Sequence, residues 1–155
     1  MDATLNWQGR LSFTGSANSG FTVNLGTDPS VGGDNDGLRP LELILIGLGG
    51  CTAMDVISIL QKKRQEVTNF TVSAHADQSS DYPKVFTHIT VNYQIEGHQV
   101  DPAAVERAIE LSVTKYCPAQ AMLISACQIE HTFTIIDSEN PGVIYHGIYN
   151  AMLTS

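Results

Sequence analysis

The chain has 155 residues, of which 43% are hydrophobic and only 15% are charged, and its formal charge is -8. Nucleic acid is excluded as an expected partner, because phosphate binding needs clustered Lys and Arg and the only basic cluster here is residues 62–64. An average globular domain is about 25% charged, so this chain is expected to bury more surface than one small monomer does, which favours an oligomer.

The first 25 residues predict three short antiparallel strands, because apolar and polar side chains alternate along them. The strands are expected at residues 4–8, 11–15 and 21–25, in a meander. Residues 27–40 are rich in Gly, Asp and Pro, which predicts a loop. A loop of this length is often functional.

A long helix is expected over residues 41–65, with Pro40 in its first turn. Its first half is apolar all round, which predicts burial on every side. Residues 43–54 form a run of 12 without a charge, and a bilayer span needs about 20 apolar residues. The N-terminus lacks the basic start and apolar core of a secretory signal. We therefore expect a cytoplasmic protein with no membrane partner.

Three glycines interrupt this apolar helix at Gly47, Gly49 and Gly50. Each costs about 1 kcal/mol relative to Ala inside a helix, so three within four positions need a reason. They either let another backbone approach closely or break the helix just before Cys51.

The rest of the chain predicts three strands, two helices and an apolar extension. With the first strands this gives an α/β (α+β) protein with antiparallel sheets, folded as one domain over residues 1–137. Residues 138–155 are too apolar for a disordered tail and are expected to dock on the body or on a partner. The strands are expected at residues 70–76, 85–96 and 128–136, and the helices at residues 103–114, capped by Asp101, and behind Pro118 within residues 116–125.

The cysteines Cys51, Cys117 and Cys127 are the candidates for chemistry. An odd, sparse set argues against a disulfide framework. Neither C-x-x-C nor closely paired histidines occur, so no metal site is expected. Inert burial is the default for each cysteine. A thiol near a helix N-terminus or a cation is the reactive alternative, because the thiolate is the nucleophile.

Two segments resemble the OsmC/Ohr family of osmotically inducible and organic hydroperoxide resistance proteins, in particular its small acidic members. GLRPLELILIGLGGCTAMDV contains Cys51, and KYCPAQAML contains Cys117, 66 residues later. The resemblance covers roughly residues 5–136. It implies an OsmC-like fold in which two chains form an intertwined homodimer. Long helices would lie between the sheets, with active sites at the interface.

The resemblance also implies thiol-dependent reduction of organic hydroperoxides without metal, haem or flavin. Cys51 would be the peroxidatic thiol that becomes a sulfenic acid. Cys117 would resolve it as a disulfide, which an external dithiol reduces. The apolar half of the helix would line a pocket for the organic group. Cys127 matches no motif of the family and is expected to be buried and inert.

The chain departs from the family at the charges that serve the thiolate. In the family an Arg stabilises the thiolate and a carboxylate directly after the Pro orients that Arg. Here Leu41 follows the Pro, and Glu42 stands nine residues before Cys51, across a regular helix from it. Arg39 is the first candidate for the cation. Arg10 is the second, reaching across from the partner subunit.

Asp55 lies one helical turn beyond Cys51 on the same face, where it would hold an Arg, cap the helix or sit at an interface. The departures leave two other functions open. One is a non-catalytic protein that binds a small lipid-like or aromatic ligand in the apolar cavity. The other is a redox sensor in which a disulfide is the signal.

Overall fold

The computed structural model describes residues 1–150, which form two separate sheets and three α-helices. The chain divides into two compact units, Met1–Ile44 and a second unit that begins at Leu45. The division falls inside the first turns of the long helix. The expectation of one domain over residues 1–137 stays a prediction.

The first unit contains a three-stranded antiparallel sheet in the order β1-β2-β3. The three expected strands are confirmed within two residues at each end. The loop that follows contains one turn of 3-10 helix, Pro29–Val31, with Asp28 as its N-cap. The strands are β1 (Ala3–Gly9), β2 (Ser12–Ala17) and β3 (Thr22–Leu25).

Helix α1 (Pro40–Lys62) has 23 residues, and its glycines do not break it. Its fully buried side chains follow a four-residue spacing, which is one stripe of a helix. The expectation of burial on every side is therefore wrong for this chain taken alone, because the described residues cover only that stripe. The buried residues are Leu48, Thr52, Val56 and Leu60.

By length and composition α1 is the one helix of the described residues that is long and apolar enough to cross a membrane. The 12-residue uncharged run inside it is shorter than a span, but α1 has 23 residues and its charged residues are limited to Glu42, Asp55 and Lys62. These two properties therefore do not separate a membrane helix from a protein-packed one. The buried stripe shows that one face packs on protein.

The second unit contains a mixed four-stranded sheet in the order β4-β5-β6-β7. Strands β5 and β6 are parallel, which corrects the expectation of purely antiparallel sheets. The reason is the connection between them: a crossover through two helices returns the chain to the same edge in the same direction. The elements are β4 (Glu66–Gln78), β5 (Phe86–His98), α2 (Pro102–Leu111), α3 (Pro118–Leu123), β6 (Gln128–Asp137) and β7 (Ile144–Asn150).

The core of the second unit lies on one face of this sheet. Alternate residues of β5 and β6 point into it, as the strand period of two requires. The α1 stripe and the buried face of α2 complete it. The fully buried members include Leu60, Ile89, Val91, Ile95, Val105 and Ile109.

The C-terminal extension contributes strand β7, which pairs antiparallel with β6 from Ile136 opposite Ile144 to Glu130 opposite Asn150. The alternation of apolar residues in this extension is therefore the pattern of strand β7, which lies at the edge of the sheet. The last residues, 151–155, lie outside the described part of the chain.

Replacing Gly97 by Ala is expected to destabilise the second unit. A Cβ at this position would lie 2.3 Å from the Glu66 carbonyl oxygen, so backbone has to move. Overpacking of this kind costs about 1–3 kcal/mol. Urea unfolding followed by circular dichroism measures the change. The control is Gly142→Ala, whose nearest neighbour would be 3.7 Å away; equal effects at both glycines would contradict the expectation.

Candidate functional site

The structure brings Cys51 and Cys117 together. Their Sγ atoms and a carboxylate oxygen of Asp55 all lie within 4.8 Å of one another. Cys51 and Asp55 come from successive turns of α1, and Cys117 comes from the residue before α3. Both cysteines are free thiols. All three residues belong to the second unit, so the cluster lies within one compact body.

Local sequence fixes the position of Cys117. Helix α2 ends in a π-helical turn, Ser112–Tyr116, and Pro118 then starts α3 at its N1 position. Pro suits that position because it lacks the amide hydrogen that would have no partner there. Cys117 is the N-cap of α3. The backbone amide of Gln120 donates a hydrogen bond to the Cys117 Sγ at 3.3 Å.

The two thiols differ in exposure. Cys117 is 3% exposed, whereas Cys51 is half-buried. Burial, reinforced by a hydrogen bond with Cys51, raises the pKa of the Cys117 thiol to about 12, although the Gln120 amide acts against this. Cys117 is therefore protonated at neutral pH and reacts only after its proton is removed.

Asp55 is held by Ser112, whose hydroxyl donates to carboxylate Oδ2 at 2.9 Å. Ser112 is fully buried in the π-helical turn, so this bond ties α1 to the segment that carries Cys117. Sequence analysis proposed an Arg partner, a cap or an interface role for Asp55. The structure gives it a serine partner and a place beside the two thiols.

A buried polar chain that sequence analysis missed lies behind the thiols. The Tyr93 hydroxyl is 3.0 Å from His131 Nδ1, and His131 Nε2 is 3.3 Å from Gln120 Oε1. The Tyr93 and His131 rings are stacked with centroids 5.9 Å apart. A signal for it exists in QIEHTFTII, where strand alternation puts His131 on the same inward face as Ile129 and Phe133.

Burial determines the protonation states of the side chains in this hydrogen-bonded series. It lowers the pKa of His131 to about 4, so the imidazole is neutral near pH 7. The side-chain oxygen of Gln120 can only accept a hydrogen bond, so the Nε2 atom of His131 carries the hydrogen. The Nδ1 atom of His131 then accepts a hydrogen bond from the Tyr93 hydroxyl. Burial also raises the pKa of Tyr93, although a hydrogen bond with Thr52 acts against this. The Tyr93 hydroxyl thus stays protonated close to the thiol pair.

An apolar groove of about 350 Å³ runs between α1 and β4. A Cβ built at Gly49 or Gly50 would have no described atom within 4 Å, so these glycines pack against nothing in residues 1–150. They leave open space one residue before Cys51. The lining is Leu45, Ile46, Gly49, Gly50 and Ala53 of α1 with Phe70, Val72 and Ala74 of β4.

The predicted charged residues Arg39, Glu42 and Arg10 all lie in the first unit, where they pair with acids or with each other. Arg39 Nη1 is 3.5 Å from Glu42 Oε1, and Glu42 also accepts from the Arg39 amide at 2.9 Å. Arg39 thus pairs with the Glu42 carboxylate, although Glu42 stands one residue later than the carboxylate of the family pattern. Arg39 also meets Asp28 at 3.5 Å. Arg10 pairs with Asp34.

Cys127 stands apart from this chemistry. Its Sγ is 3.9 Å from the Leu123 carbonyl oxygen, and burial raises its pKa. It is half-buried, which is less than the full burial expected from the sequence. A protonated thiol held in this way is a poor nucleophile.

Comparison with known proteins assigns the family. Residues 33–132 match the family model described as OsmC-like protein. The chain belongs to the OsmC-like family. It is similar to Protein YhfA of Escherichia coli K12, with 36% identity over 136 residues that cover 88% of this chain and 98% of YhfA. The resemblance of the two cysteine segments to this family is thereby confirmed.

Solved structures confirm the OsmC-like fold. A hypothetical protein from Aquifex aeolicus VF5 matches with a TM-score of 0.77 and 27% identity, covering 88% of this chain and 96% of that one. An organic hydroperoxide resistance protein OsmC from Legionella pneumophila matches with a TM-score of 0.66 and 12% identity, covering 85% and 94%. The second likeness concerns the fold alone.

Acidic conditions are expected to destabilise the fold through His131. The pKa of His131 falls from about 6.5 to about 4 on folding. Between these pH values the imidazole is protonated in the unfolded chain and neutral in the folded chain. The stabilisation is complete above pH 6.5 and is lost as pH falls through 4, about 3 kcal/mol in all. Urea unfolding between pH 7 and pH 4 measures it.

His131→Gln keeps hydrogen-bonding groups without a titrating ring, so its stability should fall less over the same pH range. The matched control is His75→Gln, because the His75 side chain is 79% exposed. If wild type and His131→Gln lost equal stability between pH 7 and pH 4, the assignment to His131 would be wrong.

Proposed function

We propose that the protein is a thiol-dependent peroxidase that reduces organic hydroperoxides, with Cys51 as the peroxidatic and Cys117 as the resolving thiol. One observation carries the proposal: two free thiols, 66 residues apart in the sequence, lie within 4.8 Å of each other. The family includes proteins named for organic hydroperoxide resistance, among them the Legionella pneumophila protein. We further propose a cytoplasmic location and an external dithiol as reductant, without a bound cofactor.

The proposed cycle has three steps. The Cys51 thiolate attacks the terminal oxygen of the hydroperoxide, and the O–O bond breaks. The alkoxide leaves and takes up a proton to become an alcohol, and Cys51 is then a sulfenic acid. Cys117 loses its proton and attacks that sulfur, water leaves, and a disulfide forms. The external dithiol reduces the disulfide and becomes oxidised. The net reaction converts hydroperoxide and dithiol into alcohol, water and a disulfide.

The order of the two cysteines follows from exposure and protonation. Cys51 is half-buried and follows the open glycines of the groove, whereas Cys117 is 3% exposed. With its pKa raised to about 12, Cys117 keeps its proton while peroxide is present. The apolar lining between α1 and β4 suits an alkyl or aryl group better than hydrogen peroxide.

We propose that the working form is an intertwined homodimer. The described residues bury only 22% of an apolar 18-residue stretch of α1, and Ile46 and Met54 are 55% and 68% exposed. An apolar helix face of this kind is covered by protein or lipid. A second copy would cover it and would allow Arg10, or Arg39 with Glu42, to serve the thiolate of the opposite subunit.

A small-ligand-binding protein is the second candidate, because Asp55 lies beside the thiols. A negative carboxylate opposes ionisation of a neighbouring thiol and so opposes attack on peroxide. In this alternative the groove holds an apolar ligand and the cysteines play no part.

Replacing Cys51 by Ser is expected to abolish consumption of cumene hydroperoxide with a dithiol reductant. Cys117→Ser should consume about one equivalent and then stop with a sulfenic acid on Cys51, which mass spectrometry of the dimedone adduct detects. Cys127→Ser is the matched control and should keep wild-type turnover. Identical behaviour of wild type and Cys51→Ser would eliminate the peroxidase and favour the ligand-binding protein.

Replacing Met54 by Glu is expected to shift the protein towards monomer, because the charge would be buried in the proposed dimer at a large desolvation penalty. Gln61→Glu, on the exposed end of α1, adds the same charge and should keep the wild-type state. Sedimentation velocity over a concentration series measures both. A wild-type protein that is monomeric throughout would refute the dimer.

A further inference from the structure

The cluster of two thiols and one carboxylate has a second chemical meaning. We propose that the reduced site binds one thiophilic divalent cation, with Zn²⁺ as the representative, through Cys51 Sγ, Cys117 Sγ and one oxygen of Asp55. The inference rests on the geometry of three side chains and not on peroxidase activity. Sequence analysis gave no metal signal, because the ligands are not at the short spacings of known motifs.

The distances suit this donor set. Zinc takes thiolate sulfur at about 2.3 Å and carboxylate oxygen at about 2.0–2.2 Å, so ligand atoms around a tetrahedral ion are roughly 3.4–3.8 Å apart. The three atoms here already lie within 4.8 Å of one another. Each therefore has to move by roughly 1 Å or less. Side-chain rotation supplies such a shift, so the helices need not separate.

Charge favours a cation at the same place. Once the ion has displaced the thiol protons, two thiolates and a carboxylate carry three negative charges, and burial makes their repulsion stronger than in water. In residues 45–150 no Lys, Arg or His nitrogen comes within 4.0 Å of the Asp55 carboxylate. A divalent ion reduces the charge of the cluster from minus three to minus one. It thus supplies the compensation that this part of the second unit lacks.

The surroundings hold the ligands in place. Ser112 donates to Asp55 Oδ2, which orients the carboxylate. The Gln120 amide donates to Cys117 Sγ, a kind of contact that commonly supports metal-bound thiolates. Three protein ligands leave the fourth position to water, as in open zinc sites.

Binding is balanced by protons. Two thiols become thiolates and release two protons for each ion bound. A sulfur in a disulfide is no longer a thiolate, so the metal-bound form and the Cys51–Cys117 disulfide exclude each other. The ion would therefore hold the thiols reduced and block their reaction with peroxide.

Competition with a chromophoric zinc chelator tests the proposal on the full, freshly reduced chain. One Zn²⁺ is expected per chain, and Cys51→Ser or Cys117→Ser should weaken binding by about 100-fold. Asp55→Asn should weaken it by at least about 10-fold. Co²⁺ in place of Zn²⁺ should show a thiolate-to-cobalt charge-transfer band that both cysteine variants lose. Cys127→Ser is the matched control and should bind as wild type does.

Asp55→Cys separates ligation from folding, because a third thiolate is itself a zinc ligand and should restore the affinity that Asp55→Asn loses. Absence of stoichiometric binding in the reduced wild type would overturn the proposal, as would wild-type affinity in Cys51→Ser or in Asp55→Asn. Peroxide plays no part in this measurement. A protein that binds zinc but reduces no hydroperoxide would refute the proposed function alone.

Discussion

The site depends on one packing constraint, the insertion of a single stripe of α1 into the core of the second unit. Leu48, Thr52, Val56 and Leu60 occupy that stripe with no exposed surface. Cys51 and Asp55 each stand one residue before a buried stripe position, so their side chains lie at the edge of the core and not within it. That edge is where the chain returns with Cys117. A shift of the helix by one residue would carry thiol and carboxylate away together.

The polar groups behind the thiols work against burial and must therefore be tightly partnered. Gln120 joins the two parts of the site: its amide reaches Cys117 Sγ, and its side chain reaches His131. Within this network its side-chain Nε2 atom is the exception, because it has no hydrogen-bond partner among the described residues. A neutral His131 then fixes the direction of the Tyr93 hydroxyl. The network gives the site one geometry at the expense of some stability.

Sequence identified what depends on local pattern, and missed what depends on distant contacts. Alternation found the strands, and the Asp101 cap with Pro102 found α2. The resemblance brought Cys51 and Cys117 into one hypothesis. Asp55 and Ser112 are 57 residues apart, and Tyr93 and His131 are 38 apart, so neither pair leaves a trace in local spacing. Direction of a strand pair is equally non-local, which is why the parallel β5–β6 pair was not foreseen.

Scarcity of positive charge links the composition to the chemistry. The chain has 8 Lys and Arg against 16 Asp and Glu. Its two candidate arginines are already engaged with acids in the first unit, while the thiols share their corner of the second unit with a carboxylate. A reactive thiolate needs a compensating cation. A guanidinium stabilises a thiolate and leaves its lone pairs available for peroxide, whereas a coordinated metal ion occupies them. Under the proposed function and the proposed metal site, the same cluster therefore supports catalysis or inhibition according to which cation reaches it.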